Sequence, residues 1–244
     1  MLNIVVLVSG GGTNLQALIN GVEYGMIQHG KITKVISSKS GVLALTRAEL
    51  AGIESSVVER ANYKDNKSFS KALLAELEKA EPDLIVLAGF MQILSKDIVK
   101  KYENKIINIH PALIPSFCGK GFYGLKVHEA ALEYGVKVTG ATVHYVNEIP
   151  DGGAIIDQKA VEIKPDDTPE TLQRRVMQEA EWVILPKAVG LICEERYKEV
   201  DAAKQAKAEA EAKEKAEAEA KVQAEANAEE ENKETENNTE RDAN

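Results

Sequence analysis

With 244 residues, 28% charged and 44% hydrophobic, the chain is long enough for one domain of about 200 residues plus an appendage. Its two cysteines, Cys118 and Cys193, exclude a disulfide framework and fit a reducing, cytoplasmic setting; no apolar run reaches the roughly 18–20 residues of a membrane helix. The net charge of −9 is unevenly placed: 14 acidic and 7 basic residues lie from Asp201 onward, which leaves about −2 for the first 200, so neither part offers the basic face that nucleic acid requires.

The N-terminal segment is short and apolar, without a basic leader or a small-residue cleavage site, and reads as a first buried strand over 3–8. A run apolar on both faces suits the centre of a parallel sheet. It ends at Ser9-Gly10-Gly11-Gly12, after which Leu15, Leu18, Ile19 and Val22 recur at helical spacing as far as about Gly25. Lys34–Ser37 is a short strand, Leu43–Ala51 a helix stopped by Gly52, and Ile53–Val58 a strand. Lys67–Lys79 is an amphipathic helix and Asp83–Gly89 another buried strand. Ile93–Tyr102 is a helix, and Ile106–Ile109 a strand that runs into His110-Pro111. Strand and helix alternate throughout this stretch. That predicts an α/β fold: an open, mostly parallel twisted sheet with helices on both faces. Beyond it, Leu125–Tyr134 is a helix, followed by two extended segments that could pair antiparallel, Val136–Val146 and Ala154–Val161. A long helix covers Thr168–Arg196. The division predicted is a catalytic domain over 1–200 and a low-complexity acidic tail over 201–244, helix-forming to about 226 and disordered beyond.

Three patterns carry chemistry. Glycines in Ser9–Asn14 permit positive φ and close backbone approach, and the helix that follows presents free N–H groups, a natural phosphate site. Neither a spaced third glycine nor a P-loop lysine is present, so a dinucleotide or nucleoside triphosphate is not indicated. The plainer reading is a tight turn with Thr13 or Asn14 capping the helix. In Asn108-Ile109-His110-Pro111, alternation places Asn108 and His110 on one side of a strand end. Asp151-Gly152-Gly153 lets an acidic side chain project from a turn. Together they suit acyl transfer to an amine: Asn108 donates to the developing oxyanion, His110 moves protons, and Asp151 orients the imidazole and raises its pKa. The opposing reading is a strand end with a hydrogen-bonded histidine and a common Asp-Gly turn. No Ser or Cys sits in a comparable motif, which favours direct attack by the amine over a covalent enzyme intermediate.

Four segments in order, residues 9–16, 87–94, 108–116 and 151–156, resemble the phosphoribosylglycinamide formyltransferases, folate-dependent enzymes of the third step of purine synthesis, and the resemblance covers about residues 1–196. It implies a Rossmann-like formyltransferase fold and a formyl transfer from 10-formyltetrahydrofolate to the amine of phosphoribosylglycinamide. It also implies Asn108, His110 and Asp151 as catalytic residues. Gly12, Thr13 and Asn14 would hold the substrate phosphate, and Gln178 and Glu181 the glycinamide. The folate would lie against Met91, Gln92, Ile93 and Leu94, Asn108, and Asn147, Glu148, Ile149, Pro150 and Asp151.

Some positions depart from the family pattern. Gln92 stands where arginine is common. Asn66, between Lys64 and Lys67, stands where a basic folate contact is usual. The segment Cys118–His128 is longer than the common form and reads as a loop near the substrate. His128 and His144 read as structural. Partners implied are small molecules only, with no nucleic acid, membrane or metal, in a monomer or homodimer. The alternatives are a formyltetrahydrofolate hydrolase, which would carry a regulatory domain before the first strand, and a nucleotide-binding module without catalysis. A methionyl-tRNA formyltransferase would add a C-terminal domain and a basic surface.

Overall fold

The computed structural model describes the backbone of residues 1–241 and the side chains of residues 1–213; the expectation of disorder beyond about residue 227 lies outside the residues described in full. Two compact units are present, Met1–Glu195 and Arg196–Asn244. The first holds a seven-stranded sheet in the order β3-β2-β1-β4-β5-β6-β7. Its strands are β1 (Leu2–Val8), β2 (Gly30–Ser37), β3 (Glu54–Val57), β4 (Leu84–Leu87), β5 (Ile106–His110), β6 (Val138–Tyr145) and β7 (Ile155–Glu162). The first five pair in parallel, while β5–β6 and β6–β7 are antiparallel.

The helices are α1 (Thr13–Glu23), α2 (Leu43–Leu50), α3 (Asn66–Ala80), α4 (Lys96–Lys101), α5 (Leu125–Tyr134), α6 (Pro169–Val176) and α7 (Trp182–Arg241), with a π-type turn at Met177–Glu181 between the last two. Asp201–Lys213 is helical, as its composition predicts. Among the described residues no helix is long and apolar enough to cross a membrane.

Side-chain alternation along β1 divides the core. Ile4, Val6 and Val8 pack on one face with Leu15, Leu18, Leu185 and Val189, and Val5 and Leu7 on the other with Phe69, Leu73 and Leu77. All of these are fully buried or nearly so, which is what a central strand covered on both sides requires.

Two helices differ from the periodicity reading. The apolar residues Ile93 and Leu94 do not open α4, which begins only after Ser95; residues 88–95 form an irregular segment with Gly89 at φ 73°. The helix predicted over Thr168–Arg196 is interrupted at Met177–Glu181, where the π-type turn widens the coil. Its start is as expected for Pro169: the Thr168 hydroxyl accepts from the Thr171 N–H, and the Thr168 N–H donates in return to Thr171 Oγ1.

Candidate functional site

Parallel strands β1, β2, β4 and β5 end on the same edge, and the segments leaving those ends line a cavity of about 790 Å³. After β1, Gly12 takes φ 71° and packs so closely that a Cβ there would lie 2.7 Å from Ala44 Cα. No side chain caps α1. The alternative reading of a cap from Thr13 or Asn14 does not hold, and Gly12, Thr13 and Asn14 border the cavity. Arg47 braces the turn from outside, donating through Nε to the Gly11 carbonyl (3.0 Å). Ser9 ties three segments together: its hydroxyl accepts from the Met91 N–H (2.9 Å) and bonds the Ser38 hydroxyl (2.7 Å).

Asn14 faces inward. Its amide donates to Glu181 Oε2 at 2.6 Å, and its carbonyl oxygen is buried without a partner. Glu181 is 6% exposed, and burial raises its carboxyl to about 7 against the opposing pull of the Asn14 amide. Gln173 and Met177 line the cavity on the same helical stripe as Glu181. Gln178 lies one position beyond Met177, about 100° around the helix, and is exposed outside the cavity.

Asn108 and His110 lie on one face of β5, and antiparallel pairing sets His144 directly opposite Asn108 and Thr142 opposite His110. The Asn108 side-chain amide and His144 Nε2 are in hydrogen-bond contact at 3.2 Å, while His144 Nδ1–H donates to the Tyr145 carbonyl at 2.8 Å. His110 is buried, with Nε2–H donating to the Phe117 carbonyl (2.8 Å) and Nδ1 3.6 Å from Asp151 Oδ2. Asp151 Oδ1 lies 3.7 Å from His144 Nε2, and Oδ2 accepts from the Gly119 N–H at 2.8 Å.

Asp151 adopts φ 54° in a turn where a Cβ on Gly153 would overlap the Tyr145 carbonyl. Burial by itself would raise the Asp151 carboxyl, but His144, His110 and the Gly119 N–H outweigh it and hold the group below the usual range. For His110 the balance goes the other way. Burial lowers its pKa, and the nearby Asp151 charge offsets only part of that. Asp151 does raise the His110 pKa, as the sequence reading has it; the desolvation of a residue 4% exposed, which that reading did not include, sets the net direction.

Met91, Gln92, Ile93, Leu94 and the stretch Asn147–Asp151 all border the cavity. The irregular backbone at 88–95 leaves peptide groups there outside helix and sheet. Lys64, Asn66 and Lys67 do not reach the cavity.

The loop expected near the substrate over Cys118–His128 does line the cavity through Gly119–Gly124 and, with Phe117, holds the His110–Asp151 pair. The sequence reading missed three features. Lys39 lines the cavity just past β2. His144 positions Asn108. His128, fully buried on α5, also borders the cavity, with neither ring nitrogen partnered, and burial and then His110 push it down to about 4. Only the strand alternation of His144 relative to Thr142 carried any signal for these three.

The fold and the Asn108–His110–Asp151 geometry define a class, and the chain belongs to it: the profile of the family described as formyl transferase matches residues 2–189. Within that family, the chain is 40% identical over 201 residues to the phosphoribosylglycinamide formyltransferase of Haemophilus influenzae, covering 82% of this chain and 92% of that one. It is 46% identical over 201 residues to the trifunctional purine biosynthetic protein adenosine-3 of Gallus gallus, but spans only 19% of that protein's length. Among solved structures, glycinamide ribonucleotide transformylase 1 of Symbiobacterium toebii superposes with a TM-score of 0.75 at 41% identity, over 80% of this chain and 89% of that one.

Proposed function

We propose that residues 1–200 transfer the formyl group of 10-formyltetrahydrofolate to the amine of N1-(5-phospho-D-ribosyl)glycinamide, the third step of purine synthesis. The observation that carries this reading is that the glycine turn and the Asn108–His110–Asp151 group share one cavity. A phosphorylated amine therefore fits with its phosphate on the Gly12–Asn14 N–H groups and its amine toward His110. Glu181 faces the same space and offers a carboxylate to the glycinamide; Gln173 is better placed than Gln178 to join it. Met91–Leu94 and Asn147–Asp151 form the wall on which the folate lies, met largely by backbone groups.

In the reaction the amine nitrogen bonds to the formyl carbon and the bond from that carbon to the folate nitrogen breaks. The amine loses a proton and the departing nitrogen gains one. Asn108, fixed by His144, donates its amide to the formyl oxygen as negative charge builds there. His110, oriented by Asp151 and shielded from water, handles the proton. The activity needs no nucleophilic side chain. Incubation with 10-formyltetrahydrofolate, with and without the amine, tests the reading. Deformylation that requires the amine supports it, equal deformylation without amine supports a hydrolase, and none in either case refutes both.

A further inference from the structure

The cavity wall carries two lysines, Lys39 and Lys120, and the acids Glu148, Asp151 and Glu181. The acids are engaged: Glu148 with Lys96 at 2.7 Å, Asp151 with the two histidines, Glu181 with Asn14. Lys39 forms no ion pair among the described residues. Its backbone is fixed at the root of the glycine turn. The Ser38 N–H donates to the Val8 carbonyl (3.0 Å), Ser38 bonds Ser9, the Ser37 hydroxyl donates to the Lys39 carbonyl (2.6 Å), and the Lys39 N–H donates back to Ser37 Oγ (3.1 Å). The Glu59 carboxylate accepts from the Ser40 N–H at 2.7 Å and feels the Lys39 charge, without forming an ion pair with it. Lys120 sits instead in the glycine-flanked stretch after Phe117, with Gly119 and Gly121 at positive φ and its neighbour Gly119 tied to Asp151 instead of to the glycine turn.

A phosphomonoester placed on the Gly12–Asn14 N–H groups carries close to two negative charges at neutral pH. Backbone dipoles match its geometry but compensate only part of that charge. We infer that Lys39 is the cationic partner of the phosphate, a binding residue that makes the site select the phosphorylated amine over its dephosphorylated form. The inference rests on the phosphate lying at the glycine turn, as the proposed function requires.

The test compares Lys39→Gln, Lys39→Arg and, as a charge-matched control off the cavity, Lys71→Gln. Each is assayed with phosphoribosylglycinamide and with its dephosphorylated riboside. Loss of one ammonium–phosphate contact at a solvated position should raise KM for the phosphorylated amine about tenfold. The riboside should be unaffected, kcat nearly unchanged, and the penalty smaller at high salt. Lys39→Arg should recover most of the loss, and Lys71→Gln should match wild type. An equal effect on both amines, or none on the phosphorylated one, overturns the assignment, as does a phosphate-dependent loss confined to Lys120→Gln. Titration with inorganic phosphate, followed by calorimetry, separates this from the activity itself. Weaker phosphate binding in Lys39→Gln is expected even if neither amine is formylated, and unchanged binding refutes the role of Lys39.

Discussion

Glu181 offers a pH-dependent perturbation whose size follows from its burial. The side chain is 6% exposed and titrates at about 7 in the folded protein, where an ordinary glutamate titrates near 4.3. The folded state thus holds this proton more tightly than the unfolded chain, and stability falls as pH rises from about 4.3 through about 7. At about 1.4 kcal/mol for each pH unit of that interval, the full penalty above neutrality is about 3–4 kcal/mol. Glu181→Gln keeps the shape and can still accept from Asn14, but it cannot ionise. The substitution should therefore be nearly neutral at about pH 4.5 and stabilising at about pH 8.5, by up to that amount, or on the order of 5–10 °C in Tm. Thermal unfolding of both proteins across this range provides the assay. The same variant should bind the amine substrate less well, because it offers no negative charge. A stability difference that does not change with pH, or one favouring wild type at alkaline pH, would refute the reasoning.

Further expectations concern the cavity's other residues. Gly12→Ala forces a left-handed alanine against Ala44 and Arg47 and should cost about 2–4 kcal/mol of stability in denaturant titrations, with a raised KM for the phosphorylated amine. His144→Leu frees the Asn108 amide to rotate and should lower kcat about 10–100-fold with little change in KM, in line with loss of oriented oxyanion donors. Asp151→Asn removes the charge that supports the His110 imidazolium, so the pH above which activity falls should move downward, together with a loss of kcat. His110→Ala should abolish most of the rate, whereas His110→Asn retains some if the side chain acts chiefly as a hydrogen-bond donor; full activity in the alanine variant would remove His110 from the mechanism.

The parallel half of the fold was legible because its signals are local. Strands and helix-spaced stripes alternate along it, separated by turns, and leave few arrangements of the chain between Met1 and His110. The turn at Gly10–Gly12 and the strand end at Asn108–His110 were visible for the same reason, since each sits where a buried run stops. What remained hidden depends on register and on helix rotation. That His144 meets Asn108 follows from the β5–β6 pairing, which no window of sequence displays. Glu181 rather than Gln178 faces the cavity because of how the helix turns through Met177–Glu181, and Lys39 reaches it because β2 lies beside β1. The apolar Ile93 and Leu94 imitate a helix start, yet they border the cavity instead of the core. Desolvation of His110, which outweighs the raising effect of Asp151, is a property of the assembled site alone.

Product identification tests the central claim most directly. The protein is supplied with 10-formyltetrahydrofolate labelled in the formyl carbon, together with phosphoribosylglycinamide, and the label is followed by carbon NMR. The account predicts that it appears as an amide carbon on the glycinamide nitrogen, in step with formation of tetrahydrofolate and lost in His110→Ala. Label released as formate at the same rate with or without the amine would contradict it.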